Sequence, residues 1–425
     1  MPNTFAIRST VLLALTAAAA LFAPRAFAAT ETVLYAFQGG TDGASPYAAP
    51  TVDVRGNLYG TTLFGGAYGY GTVYELAHSK SGWSEKTLYS FTNGADGSWA
   101  YGGVILDSDG NIYGGTRSGG GPNGCGVVYE LSPGRHGQWT QKVLYTFPDH
   151  EGCEGGPMGA LTLDSKGNLY GGAVGNSPCG GFYYYGVVFE LRRTKGGWKE
   201  QDLHDFCGHD GDGPDYGQLV FDPLGNLYGT SGFGGGDGRG VVFEMSPGAH
   251  HQWTFTPIHS FTQDEGGIPE GGLTLDTAGH FHSVESGGGP DGLGSAFELA
   301  PTGPGQWTDS TVHVFNGSPD GVNPFQNPAF DANGNLFGTT YNGGDIDSCY
   351  DDCGVIYELT PREGGGWSES VVYDFASQAD GADGYAPIAG LVFDGKGHFF
   401  GTTVKGGAVT GLRACDCGVV YEFTP

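Results

Sequence analysis

The sequence predicts an all-β fold closed into a ring, and three observations carry that prediction. The composition does not suit helices, a unit of about 57 residues recurs seven times, and each end of the chain holds the part of a unit that the other lacks.

Composition sets the class. Of 425 residues 82 are Gly, and only 15% are charged. So few Lys, Glu, Leu and Met cannot fill long helices. Aromatic residues at 13% and hydrophobic ones at 38% are too many for a disordered chain. No G-X-Y period runs through the glycines, which excludes collagen. Lys and Arg total 18 against 46 Asp and Glu, a formal charge of −28. That balance repels a phosphate backbone and excludes nucleic acid as a partner.

Residues 1–28 read as an export signal. Arg8 precedes the short apolar run from Val11 to Phe22, and Ala26-Phe27-Ala28 fits a small-x-small cleavage site. The run is shorter than the ~20 apolar residues a membrane-spanning helix needs. The expected mature chain, residues 29–425, is one domain without a transmembrane segment, exported to the periplasm or beyond, and monomeric. Loss of Arg8 and Arg25 takes its charge to −30.

The repeat supplies the architecture. A G-N-L-Y-G element starts at Gly56, Gly110, Gly167, Gly225, Gly279, Gly334 and Gly397. A V-Y-E-L element places Glu75, Glu130, Glu190, Glu244, Glu298, Glu358 and Glu422. Each copy holds four short β-type runs divided by Gly, Asp, Asn and Pro, the pattern of four strands with tight turns. We number them first (L-T-L-D), second (N-L-Y-G-T-T), third (G-V-V-Y-E-L) and fourth (W…L-Y-x-F). In the fourth, Trp83 precedes Phe91 by eight residues, and the same interval separates Trp139 from Phe147 and Trp198 from Phe206. An even interval places both rings on one face of a regular strand.

Four strands in 40–60 residues make a propeller blade. The chain opens on a fourth strand alone, E-T-V-L-Y-A-F from Glu31, and closes on a third strand, G-V-V-Y-E-F from Gly418. Residues 31–37 therefore complete the last blade of a seven-bladed β-propeller, which removes the open sheet edges.

These elements together resemble the GloVer tandem repeat of exported bacterial "choice-of-anchor" proteins, and the resemblance covers all seven copies. It implies a secreted protein and brings no catalytic residues with it.

Eight cysteines in an exported chain point to disulfides. The loop between second and third strands and the loop that crosses to the next blade share one face. Cys125 and Cys153 occupy these two loops 28 residues apart, and Cys179 and Cys207 do so one blade later. Both pairs are expected bridges. Cys349–Cys353 is expected to be local. A bridge across Cys415-Asp-Cys417 is expected to be strained, which leaves crosslinks between those blades open. The alternative for Cys349, Cys353, Cys415 and Cys417 is a zinc site.

Seven equivalent Glu residues on the third strands read as structural, partnered by the Tyr or His two residues before the fourth-strand Phe. The D-x-x-G-N segments read as hairpin turns. No catalytic residue, metal site or cofactor is assigned; calcium, at these turns or at residues 209–215, is the alternative. The loop face gathers the candidate ligand-binding residues Tyr47, Tyr68, Tyr70, Trp99, Tyr101, Tyr184, Tyr216, Phe325 and Tyr385, with Asp96, Asp212, Asp320 and Asp383 nearby. Rings that stack and carboxylates that accept hydroxyl hydrogen bonds suit a glycan; the competing reading is that the rings pack the Gly-rich loops. The fifth unit departs from the frame, with His282 for Tyr and Glu285 for Thr. The expectation is an exported, non-catalytic binding or scaffold propeller for an extracellular glycan or cell-surface ligand. The alternative is a secreted hydrolase or lyase, which needs singular polar groups converging on one point.

Overall fold

Alternating polar and apolar residues between Gly-Asn turns give each repeat four antiparallel strands in sequence order. In the first blade these are Thr51–Val52, Leu58–Thr62, Thr72–Ser79 and Gly82–Ser90. The computed structural model describes residues 29–122, 124–148, 155–174, 179, 185–214, 216–303, 305–344, 353–378, 381–407 and 415–425. Seven four-stranded sheets result. The seventh holds Val392–Phe393, Phe399–Thr403 and Val419–Thr424, and Thr30–Ala36 completes it. Thr30 pairs with Thr424 and Ala36 with Val419, so the first strand closes the ring as the repeat arithmetic predicts. The expected signal, residues 1–28, lies outside the described residues.

The second strands are buried along their whole length in every blade, as expected of strands covered on both faces. Their Gly has a packing reason. A Cβ on Gly60 would run into the Tyr74 ring, and one on Gly338 into Tyr357. The apolar core lies between blades: one cluster joins Tyr59, Val73 and Phe91 of the first blade to Ile112, Tyr129 and Leu131 of the second.

Each third–fourth strand pair carries a register shift. In the first blade Val73 faces Tyr89 but Tyr74 faces Thr87, which leaves Leu88 as an extra residue. The shift recurs in the other six blades. A bulge of one residue inverts the alternation beyond it, and this corrects the Trp–Phe reading. Trp83 packs with Phe37, Tyr74 and Phe400 toward the preceding blade, whereas Phe91 packs toward the following one. Trp139 and Phe147 divide in the same way.

The D-x-x-G-N segments are hairpin turns between first and second strands. Asp107 Oδ1 accepts from the backbone N–H of Asp109 and Asn111, and Oδ2 from the Asn111 amide, each at 2.9 Å. These bonds hold its carboxyl below the usual range against the opposing effect of burial.

Candidate functional site

Five of the seven crossing loops make a kink at a non-Gly residue before they enter a first strand. Ser45, Trp99, Ile268, Asn323 and Ala386 occupy equivalent steps, and all have φ between 54° and 66°. Non-Gly residues avoid this region unless the surroundings hold them there. Two backbone bonds do so. Ser45 N–H donates to the Cys417 carbonyl of the preceding blade at 2.8 Å, and the Ser45 carbonyl accepts from Leu63 N–H at 3.0 Å. Trp99 repeats the pair with Tyr70 and Arg117, at 3.2 and 3.0 Å.

With or without this kink, the crossing loops bring one side chain per blade to the axis of the ring. Tyr47, Tyr101, Met158, Tyr216, Glu270, Phe325 and Ile388 each stand four residues before the first residue of their blade's first strand. With Gln326 they line a cavity of about 200 Å³. An adjoining cavity of about 170 Å³ shares Tyr47, Tyr101, Met158 and Tyr216 and is lined below them by the small residues that lead into the first strands, with Gln218, Gln326 and Asn327. The Tyr47 and Tyr101 rings meet edge to face, 5.1 Å between centroids. The Arg117 guanidinium lies 5.4 Å from the Tyr101 centroid, a cation–π distance. Burial, and then the neighbouring Tyr101 and Tyr341, raise the Tyr47 hydroxyl above its ordinary range, so it remains a neutral donor. Glu270 is the one carboxylate among the described residues of this mouth.

The structure thus sorts the sequence candidates. Tyr47, Tyr101, Tyr216 and Phe325 converge at the axis. Tyr68 stands out in a second–third loop, 61% exposed. Tyr70 packs on an interblade core cluster. Tyr385 donates to Asp416 at 2.6 Å, and Tyr184 lies outside the described residues. Sequence reasoning missed Met158, Glu270 and Ile388. Alignment on the first strand would have found them, but selection by aromatic type passed over three of the seven steps.

The loop carboxylates have local partners. Asp96 accepts from the Tyr89 hydroxyl at 3.0 Å and Thr92 N–H at 2.8 Å. Asp320 bonds His313 at 3.0 Å and accepts from Asn316 N–H at 2.8 Å. Asp383 accepts from Tyr373 at 2.7 Å and Ser377 N–H at 3.0 Å. Asp212 makes a backbone bridge to Phe233, and burial raises its carboxyl. These bonds correct the reading of the third-strand Glu residues. The fourth-strand Tyr and His serve the crossing loop, while Glu75 accepts from second-strand Tyr59 and Glu190 from Tyr170, each at 3.0 Å. The bulge is the reason: it places Tyr89 opposite Val73, two residues from Glu75.

His282 and Glu285 are both buried, at 2% and 3% exposure. They point to different surroundings. His282 takes the slot of a second-strand Tyr, edge-on to Phe330 and Trp367 with Asp276 3.6 Å away. Glu285 lies near Asp309 and Ser295, and burial followed by the Asp309 charge pushes its carboxyl up to about 8.

Cys179–Cys207 is a disulfide between the second–third loop of the third blade and the crossing loop that leaves it, as the loop positions predict. Cys125 and Cys353 are disulfide-bonded, while Cys153 and Cys349 lie outside the described residues. Cys415 is joined to Cys417, with Cα atoms 5.1 Å apart, so these two do not crosslink to another loop.

Among solved structures the fold is similar to a gluconolactonase from Xanthomonas campestris, at 15% identity and a TM-score of 0.41, over 73% of this chain and 86% of that one. It is similar to a luciferin-regenerating enzyme at 14% identity and 0.43, over 93% and 95%. It is also similar to an oxidoreductase described as a glucose dehydrogenase from Thermus thermophilus, at 17% and 0.42, over 76% and 96%. No curated protein matches the sequence. The model of the Gloeobacter/Verrucomicrobia repeat matches residues 18–214 and 174–348, and the chain belongs to that repeat family.

Proposed function

We propose that this protein is an exported, non-catalytic binding propeller that takes a neutral sugar ring at the mouth of its central axis. One observation carries the reading: Tyr47, Tyr101, Tyr216 and Phe325 surround a ring-sized cavity with Glu270 among them. A cavity of about 150 Å³ holds a benzene ring, so about 200 Å³ suits one small ring. Stacking on an aromatic face contributes roughly 0.5–1.5 kcal/mol beyond buried area. The Glu270 carboxylate accepts sugar hydroxyls, and such charge-assisted bonds orient the ring. Hydrolysis by paired carboxylates needs two acids flanking the bond, and the described residues of the mouth supply one. Export is supported by the Cys179–Cys207 bridge. Among the described residues no helix is long and apolar enough to cross a membrane.

Calorimetric titration of neutral oligosaccharides tests this. Tyr47→Ala with Tyr101→Ala should weaken binding at least tenfold while the melting temperature shows the ring intact. Affinity should change little with salt, because a neutral ligand has no charge to screen. No binding across a broad neutral panel, or equal affinity in the double variant, would overturn the reading.

A further inference from the structure

The junctions between blades repeat a second constellation. A fourth-strand Tyr or His meets the acid of the crossing loop, and the residue four places before the next fourth-strand Tyr or His completes the group. At the junction of the fourth and fifth blades these are His259, Glu265 and Asp309, and one ligand atom from each lies within 4.8 Å of the others.

Three features set this junction apart. His259 Nε2 stands 3.7 Å from Glu265 Oε2, too far for a hydrogen bond. Two ligands held ~2.0–2.2 Å from one ion sit about 3–4 Å apart. His259 Nε2 and Asp309 Oδ1 are both buried without a hydrogen-bond partner. A further carboxylate oxygen, Glu285 Oε2, is also buried and unpartnered, and the Asp309 and Glu265 charges bear on it. Glu265 itself is fixed by Thr262, whose N–H and hydroxyl donate at 2.7 and 2.9 Å. Buried carboxylates facing one another are unfavourable unless a cation neutralises them.

We infer that His259, Glu265 and Asp309, with Glu285 beside them, form a site for a divalent first-row cation of zinc's kind, locking the fourth blade to the fifth. One imidazole with carboxylates is a donor set such ions accept. The site is remote in role from the axial mouth and independent of sugar binding. A related cluster, His313, Asp320 and Glu369, lies one junction later. There the His313–Asp320 hydrogen bond is already made at 3.0 Å, so zinc should prefer the earlier junction.

The test is zinc chloride titrated into the metal-free mature protein by calorimetry, with the thermal midpoint and zinc-edge anomalous diffraction from soaked crystals. The expected result is one tight equivalent, a raised midpoint and an anomalous peak bonded to His259 Nε2. Asp309→Phe installs the residue found at the equivalent step of the preceding junction, Phe255. It should weaken the tight equivalent at least tenfold and abolish the midpoint shift. Glu285→Thr, the residue type of Thr62 and Thr116, serves if the first variant fails to fold and should weaken zinc less. Unchanged titration in the variants, no tight equivalent, or an ion only on exposed histidines such as His250 and His251 would overturn the site.

Discussion

His204 and His259 occupy the same step of successive blades, yet their surroundings have opposite character. His204 bonds Asp210 at 2.9 Å, and its ring stacks on Phe255 at 3.8 Å. His259 faces Glu265 and Asp309 with its Nε2 unpartnered. The backbone frame is common to both; the third residue (Phe255 or Asp309), the length of the loop acid and the last second-strand residue (Ser231 or Glu285) differ. One junction is thereby a closed apolar contact and the next an open, charged one. In a repeat protein the frame fixes where side chains meet, and single substitutions decide what the meeting does.

The junction of the sixth and seventh blades sharpens the comparison most. There Glu31 lies against Asp383, Tyr373 and Tyr421. Burial, then the Asp383 charge, pushes its carboxyl up to about 8. An acid that holds its proton more tightly when folded stabilises least once ionised. Its contribution is fully favourable below pH ~4.5 and declines as pH rises toward 8, by at most about 1.4 kcal/mol per pH unit. Glu31→Gln should therefore flatten the fall in unfolding free energy between pH 5 and 8, read from urea denaturation in EDTA. Parallel profiles for the two proteins would show that Glu31 is not strained by its neighbours.

Phe255→Asp attacks the comparison from the other side. It removes the ring from His204 and Phe243 and adds a second carboxylate beside Asp210. A loss of about 3 kcal/mol is expected in EDTA, with zinc restoring part of it. Wild-type stability in this variant would mean that the junction tolerates charge regardless of its frame.

The smallest effect concerns the fifth blade's second strand. Tyr113 donates to Asp107 at 3.0 Å, and Tyr170 and Tyr228 reach their hairpin Asp at 3.3 Å. His282 stands in that slot with both ring nitrogens lacking a hydrogen bond. His282→Tyr should raise stability by roughly 1 kcal/mol by supplying the missing donor to Asp276. A neutral or destabilising result would show that the imidazole meets a need the Tyr cannot.

The fold was legible because its signals are local and repeated. Gly56 to Thr62 states a turn and a strand, and seven copies with complementary ends state closure. The Cys179–Cys207 bridge followed from loop positions alone. What escaped was register. Leu88 and its equivalents look like ordinary strand residues, so neither the division of Trp83 from Phe91 nor the pairing of Tyr89 with Asp96 could be read from intervals. The axial mouth was half legible. Tyr47 and Tyr101 drew attention as aromatics, while Glu270 declared itself only when the seven crossing loops were superposed in space.

The closing strand also sets an order in time. Thr30 pairs with Thr424, so the ring's first strand waits during synthesis for a partner made almost four hundred residues later. Closing a loop of that length in a floppy chain costs about 4 kcal/mol more entropy than closing a four-residue hairpin. Blades one to six need no such wait, since each is a run of adjacent hairpins. As they stack, they carry the two ends together and the entropic cost of the last pairing shrinks. The ring therefore behaves as a clasp whose final click reports that every earlier blade is in place, and a chain cut short anywhere leaves Thr30–Ala36 without its partner strand, a bare β-edge open to proteases and to other chains.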